Sequence, residues 1–316
     1  MKDSTKEHII VKPFLKWVGG KSQLISILES NFPSEIIENQ CINKYFEPFI
    51  GGGALFFHVM SNYKVKKAYI SDTNEDLILT YTVIKYYCNE LIDELETYVE
   101  NWPQNQKNKE KIYYSIRKEF NDTKKSIDYN ECYNNFSEQH ILQAVRLIFL
   151  NKTCFNGIYR VNLKGEFNVP IGRYKKPLFY DESNLKQISK YLHNAEIYNE
   201  SYEFFKELID ENSFVYLDPP YRPITENSFT SYTKSNFNDG DQIKLANFYK
   251  YISNKNAKVM LSNSDPHNRD ENDDFFDELY KEFQIDRIPA KRYVNSDGSN
   301  RGPVNEILVR NYGHRI

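Results

Sequence analysis

Apolar residues gather in four short runs, and each run ends at an acid or a polar turn. Residues 44–47 lead into Pro48 and the triplet Gly51, Gly52 and Gly53, and residues 67–70 end at Ser71 and Asp72. Residues 214–217 end at Asp218, and residues 258–261 end at Ser262 and Asn263. Short runs of this kind, rich in β-branched and aromatic residues, read as strands. Helical periodicity follows the first two, over 54–60 and 74–98. The alternation predicts an α/β, doubly wound sheet, in which ligands collect beyond the carboxyl ends of the strands. The polar residues that close the four runs all fall at such ends.

The middle of the chain follows another pattern. Residues 76–192 hold long helical stretches, among them 110–120 and 137–150, and then a polar loop punctuated by glycine over 151–177. The simplest reading is a helical insertion over 76–192 within a domain made of residues 1–75 and 193–316. Residues 283–288 and 306–312 read as an antiparallel hairpin around a polar link.

Composition adds three points. The chain has 25 Tyr and 21 Phe, flat faces that suit core packing or stacking on bases. A net charge of -3 argues against a protein that coats nucleic acid nonspecifically. Yet residues 146–180 carry seven basic side chains against one acid, Glu166, with Tyr and Phe among them. Such an island fits phosphate and base contacts. A solvated charged face accounts equally well for Lys175 and Lys176, but less well for Arg160, which lies between Tyr159 and Val161. The cysteines Cys41, Cys88, Cys132 and Cys154 are scattered, so no disulfide framework or metal site is expected, and free thiols suit the cytoplasm. Neither a signal peptide nor a membrane span is expected.

The candidate chemistry centres on Asp218, Pro219, Pro220 and Tyr221. The lone pair of an exocyclic nucleobase amine is delocalised into the ring, and no side chain usefully deprotonates it near neutral pH. A site can instead accept hydrogen bonds from both N–H groups, which turns the lone pair toward an incoming methyl. Asp218 offers a carboxylate and Pro219 a backbone carbonyl, while the two proline rings fix φ and remove competing donors. Tyr221 offers a face for an extruded base. With a sulfonium as methyl donor, positioning and electrostatics do most of the remaining work. An ordinary proline turn after a strand is the alternative.

Glu47, Pro48, Phe49 and Gly51 form a turn between a strand and a helix, where glycine lets a ligand approach the backbone. The dinucleotide fingerprint fails there, because its last glycine position is Phe56. Asp72, at the next strand end, suits ribose hydroxyls; capping the helix that starts near Asn74 is the alternative, and both roles can hold together. Residues 14–22 invite a phosphate-loop reading, which fails at Leu15. In that stretch Trp17 can cover a purine or pack the core, and Lys21 can meet a carboxylate.

Together, Lys16-Trp17 with Gly19-Gly20-Lys21, Glu47-Pro48-Phe49 with the glycines, Asp72 and Asp218-Pro219-Pro220-Tyr221 resemble the Dam-type adenine-N6 DNA methyltransferases, in the same order, from about residue 13 to 312. The resemblance implies a Rossmann-like S-adenosylmethionine-dependent methyltransferase sheet with an inserted helical target-recognition domain. It implies S-adenosylmethionine held by Trp17, Gly20, Lys21, Glu47, Pro48, Phe49, Gly51, Asp72 and Asp218. The partner it implies is double-stranded DNA. The 151–177 loop resembles that of members modifying GATC, where Lys16, Asn156, Ile158, Arg160 and Tyr174 match residues that touch target bases, with Arg173 beside them. An Arg on guanine O6 and N7 contributes about 1–3 kcal/mol of discrimination. A restriction endonuclease acting on the same site is a further implied partner. The tetrapeptide chemistry also admits cytosine N4 or adenine in RNA as acceptor, and an inert DNA-binding regulator of the same fold is a rival. Two more stretches are expected along the target path: 225–237, with Phe229, Tyr232 and Phe237, and 293–305, with Asn295, Ser299, Arg301 and the neighbouring Arg292.

Overall fold

The computed structural model describes residues 11–129, 136–222, 237–291 and 303–313. The 293–305 stretch up to residue 302, with Arg292, and the 225–237 stretch up to residue 236 lie outside them, as does Cys132. Seven described strands form one sheet: β1 (Cys41–Glu47), β2 (Lys64–Ser71), β3 (Ala195–Tyr198), β4 (Ser213–Leu217), β5 (Lys258–Ser264), β6 (Gln284–Lys291) and β7 (Pro303–Arg310). Their spatial order is β3-β2-β1-β4-β5-β7-β6. The first five in that order are mutually parallel, and β7 runs antiparallel to both β5 and β6. The chain winds outward from β1 through β2 to β3, then returns to place β4 on the other flank of β1. The switch point therefore lies between β1 and β4, and their carboxyl ends open a crevice there.

All five residues of β4 are buried, as expected of a central strand covered on both faces. Alternate side chains serve opposite layers. Phe214 and Tyr216 join one core with Tyr45, Met260 and Leu308, while Val215 and Leu217 join another with Phe46, Val259, Leu261 and Val309. The first layer includes residues of α1 (Ile25–Ser30), α2 (Ser34–Asn39), α3 (Ala54–Asn62), α4 (Glu75–Tyr86), α5 (Cys88–Glu100), α6 (Gln106–Lys124), α7 (Glu138–Thr153) and α8 (Glu182–His193). The second includes α9 (Asp239–Asn254) and α10 (Phe275–Leu279). No helix among the described residues is long and apolar enough to cross a membrane.

Two differences from the sequence pattern have physical causes. The helix expected over 74–98 is broken at Tyr87, whose φ of -134° and ψ of 40° leave the helical region. Its ring stacks on Phe136 at 3.7 Å, a tertiary contact that no local signal announces. Strand β3 has only four residues at the sheet edge, too few for a period-two pattern to register. The expected terminal hairpin is present as β6 and β7, but its second strand slots between β5 and β6.

Burial separates core from surface sharply. Phe214 is buried against Phe32, with ring centroids 4.9 Å apart, whereas Leu163 is fully exposed. We expect Phe214→Ala to lower the unfolding free energy by about 3–5 kcal/mol. Leu163→Ala should change it by less than about 0.5 kcal/mol. Urea unfolding of both variants checks this, and equal losses would contradict the assignment of the core.

Candidate active site

Asp218 follows β4 directly and stands at the switch point. Its Oδ1 receives Lys21 Nζ at 2.7 Å and the Ser262 hydroxyl at 3.1 Å, so both of these contacts use the same oxygen. Ser262 is fixed in turn by the Tyr216 hydroxyl at 2.8 Å. Burial pushes the Asp218 carboxyl upward, opposed by Lys21 and Ser262. Lys21, only 5% exposed, also donates to the Gly19 carbonyl at 2.8 Å. Its ammonium lies 4.6 Å from the centre of the Tyr221 ring. The Tyr221 hydroxyl donates to Glu306 on β7 at 2.5 Å. The Pro220 carbonyl is taken by the Gln242 amide at 3.1 Å, and Asn263 holds that amide in place.

A second carboxyl, Glu47, closes β1 next door. It is buried and accepts from the Tyr45 hydroxyl at 2.6 Å. Burial pushes Glu47 from its ordinary 4.5 up to about 8; the charge on Asp218 adds to the rise, while Tyr45 and Lys21 oppose it.

The glycine turn then runs past Trp17. Gly51 and Gly53 have φ of 46° and 72°, a region that costs other residues strain. A Cβ on Gly51 would come within 2.9 Å of the Trp17 ring, and one on Gly53 within 2.6 Å of the Tyr81 hydroxyl. The glycines thus make room for the protein's own aromatics, Trp17 and Tyr81. Asp72 receives the Gly51 N–H at 3.1 Å on one oxygen and the Asn74 N–H at 3.0 Å on the other. The cap of α4 is Asn74, whose side chain accepts from Leu77, so the capping alternative for Asp72 is set aside. Burial raises Asp72 to about 6, opposed by these backbone donors. Pro48 is buried, Phe49 packs against Tyr202 and Phe237, and Gly20 is exposed on the turn closed by its N–H to the Trp17 carbonyl.

The loop expected to read bases begins at the last turn of α7. Buried Asn151 accepts from the Lys16 N–H and donates to the carbonyls of Lys16 and Gly157, all at 2.9 Å. The Lys16 ammonium lies 5.5 Å from the Tyr174 ring centre. Asn156 adopts a positive φ of 57° and is exposed, and Arg160 is exposed with its Nε donating to Asn168 at 2.8 Å. Ile158 is half-buried, and exposed Arg173 lines a surface cleft with Lys109 and Lys175. Burial and the neighbouring Lys16 lower Lys152 to about 8.

The structure thus joins Lys21, Glu47, Asp218 and Tyr221 in one cluster, Trp17, Gly51 and Asp72 in a second beside the same turn, and Lys16 with Tyr174 in a third. Sequence reasoning passed over Ser262, Glu306, Tyr45, Gln242 and Asn151 as supports. Ser262 could have been found, because it ends the strand beside Asp218; Glu306 could not, because β7 reaches the site only through the hairpin.

Comparison with known proteins places this arrangement. The family model described as D12 class N6 adenine-specific DNA methyltransferase matches residues 17–294. The chain is 48% identical over 305 residues to Type II methyltransferase M.MjaIII of Methanocaldococcus jannaschii, covering 96% of this chain and 99% of that one. It is 38% identical to Type II methyltransferase M1.LlaDCHI of Lactococcus lactis subsp. cremoris, over 98% of each. It is 31% identical to the DNA adenine methylase of Escherichia coli strain K12, over 94% of each.

The raised Glu47 has a measurable consequence. Unfolded, it ionises near 4.5; folded, it keeps its proton to about 8. Between those values the unfolded chain has released a proton that the folded chain retains, so this group's contribution to stability falls as pH rises. Glu47→Gln carries no such proton. Its stability relative to the parent should therefore climb from about pH 5 to about pH 8, by at most about 1.4 kcal/mol per unit. Urea midpoints at several pH values test this; a difference that does not vary with pH would refute it.

Proposed function

This chain belongs to the D12 class of N6 adenine-specific DNA methyltransferases, and we propose that it moves a methyl group from S-adenosylmethionine to N6 of an adenine extruded from duplex DNA, within GATC. The observation that carries this reading is Asp218, held at the switch point with Lys21 and Ser262 both on Oδ1. Oδ2 is then placed to accept one amine N–H, and the Pro219 carbonyl accepts the other. Lys21 opposes the burial that raises the Asp218 carboxyl and holds it in place. With Lys21 over one face of the Tyr221 ring, the opposite face takes the base.

The residues present suit S-adenosylmethionine. Trp17, set against the glycine turn, offers a flat wall for a purine, and Asp72 suits ribose hydroxyls. The Asp218 carboxyl suits a cationic sulfonium, and Lys21 suits a carboxylate. When bound, that group supplies an electrophilic methyl. As the methyl reached N6, Asp218 or water would take the surplus amine proton. Residues 1–75 and 193–316 hold this chemistry, and residues 76–192 read the target. GATC is favoured by the likeness of the 151–177 loop to that of family members modifying this site. The names of two relatives, both Type II methyltransferases, favour a role in protecting DNA from a companion endonuclease that cuts the same site.

Tritiated methyl transfer to duplexes with and without GATC tests the target. Labelling should be confined to the former, and equal labelling of both would remove the sequence claim. Asp218→Ala should lower kcat at least about a thousandfold while circular dichroism shows the fold retained. Near-normal turnover would overturn the role given to Asp218.

A further inference from the structure

Tyr159 sits between two residues assigned to base reading, Ile158 and Arg160, yet its own side chain faces inward. Ile158 has an extended backbone, with φ of -87° and ψ of 145°. Along extended backbone successive side chains point to opposite sides. Arg160 is accordingly exposed while Tyr159 is only 2% exposed.

Several contacts hold the buried side chain, among them a hydrogen bond from Lys124 Nζ to its hydroxyl at 3.2 Å. Its ring stacks on the Trp17 indole, with centroids 5.3 Å apart and planes 24° from parallel. It also packs against Phe167, with the rings tilted and their centroids 5.8 Å apart. Its hydroxyl donates to Asp76 Oδ2 at 2.7 Å. Asp76 is itself fully buried and takes Lys124 Nζ on the same oxygen and the Tyr129 hydroxyl on the other, each at 2.5 Å. A buried carboxylate so satisfied is a rigid anchor.

The anchor lies in the first turn of α4, two residues after the cap Asn74, whose N–H is bound by Asp72. Asp72 also binds Gly51, and Gly51 abuts the Trp17 ring. The contacts therefore close on themselves, from Trp17 to Tyr159, Asp76, the start of α4, Asp72, Gly51 and back to Trp17.

We propose that Tyr159 is a positioning residue for both substrates: its ring seats the Trp17 indole in the cofactor pocket, and its hydroxyl, tied to Asp76, holds Ile158 and Arg160 in register with the target bases. This rests on the reading above, in which Trp17 faces the cofactor and the 151–177 loop faces DNA. The two halves separate by substitution. Tyr159→Phe removes the tether and keeps the stacked ring. Tyr159→Leu removes both.

The test compares parent and variants on the duplex the parent methylates best and on duplexes with one base pair of that site changed. For each, kcat and KM are measured for duplex and for S-adenosylmethionine, with circular dichroism as a check of folding. For Tyr159→Phe, the ratio of kcat/KM between cognate and altered duplexes should fall about tenfold. Its KM for S-adenosylmethionine should stay within about twofold of the parent. Tyr159→Leu should show the same loss and also raise that KM by about fivefold or more. A merely structural role would reduce the active fraction on every duplex alike, leaving the ratio and the KM where they were, and that result would overturn the proposal. A parent that labels all duplexes equally would instead defeat the sequence reading, and with it the tether half, before any variant is compared. The ring half then stands or falls on the cofactor KM of Tyr159→Leu.

Discussion

A carboxylate taken out of water at the end of a central strand needs a cation, and here Lys21 meets Asp218 at 2.7 Å. Burying either charge alone would cost several kcal/mol. The pair therefore commits the segment before α1 to the strand ends, although that segment belongs to no strand. Lys16 and Trp17 travel with it. Lys16 is clamped by Asn151 at the base of the loop, and Trp17 stacks on Tyr159 with the five-membered ring of its indole next to Gly51. Six residues of irregular backbone thus touch the candidate reacting centre, the candidate cofactor turn and the candidate reading loop. Their spacing is set by the ion pair at one end and the Asn151 clamp at the other.

The electrostatics of the site follow from the same geometry. Glu47, Asp72 and Asp218 all stand at carboxyl ends of neighbouring parallel strands, and burial raises all three. Among the described residues, only Asp218 of the three has a lysine in contact. Asp72 relies on backbone donors and Glu47 on a tyrosine hydroxyl, which leaves Glu47 protonated at neutral pH. Asp218 therefore faces one lysine, with a neutral carboxyl beside them. A positively charged ligand entering such a pocket would meet Asp218 and would draw the neighbouring Glu47 carboxyl back toward its ionised form.

Much of this was legible along the chain. Apolar runs closed by Asp218, Asp72 and Glu47 marked strands β4, β2 and β1 and the acids at their ends, because strand period and strand-end chemistry are local properties. The turn glycines and the Asp-Pro-Pro-Tyr stretch were legible for the same reason. The family was legible too, since its motifs lie in order across nearly the whole chain and the match spans residues 17–294.

What needed tertiary structure were the partners of these groups. The Ser262 and Lys21 contacts on Asp218, the Glu306 contact on Tyr221 and the Asp76 contact on Tyr159 span 44, 197, 85 and 83 positions. Such pairings depend on strand order and on the crossing of helices, which local propensity does not encode. The break at Tyr87, the insertion of β7 between β5 and β6, and the use of Gly51 to admit Trp17 were likewise decided by packing. The sequence by itself determined which side chains stand at the strand ends, because that is a matter of period and termination. The fold decided which of them meet, because a buried charge or hydroxyl takes its partner from whatever element is packed against it.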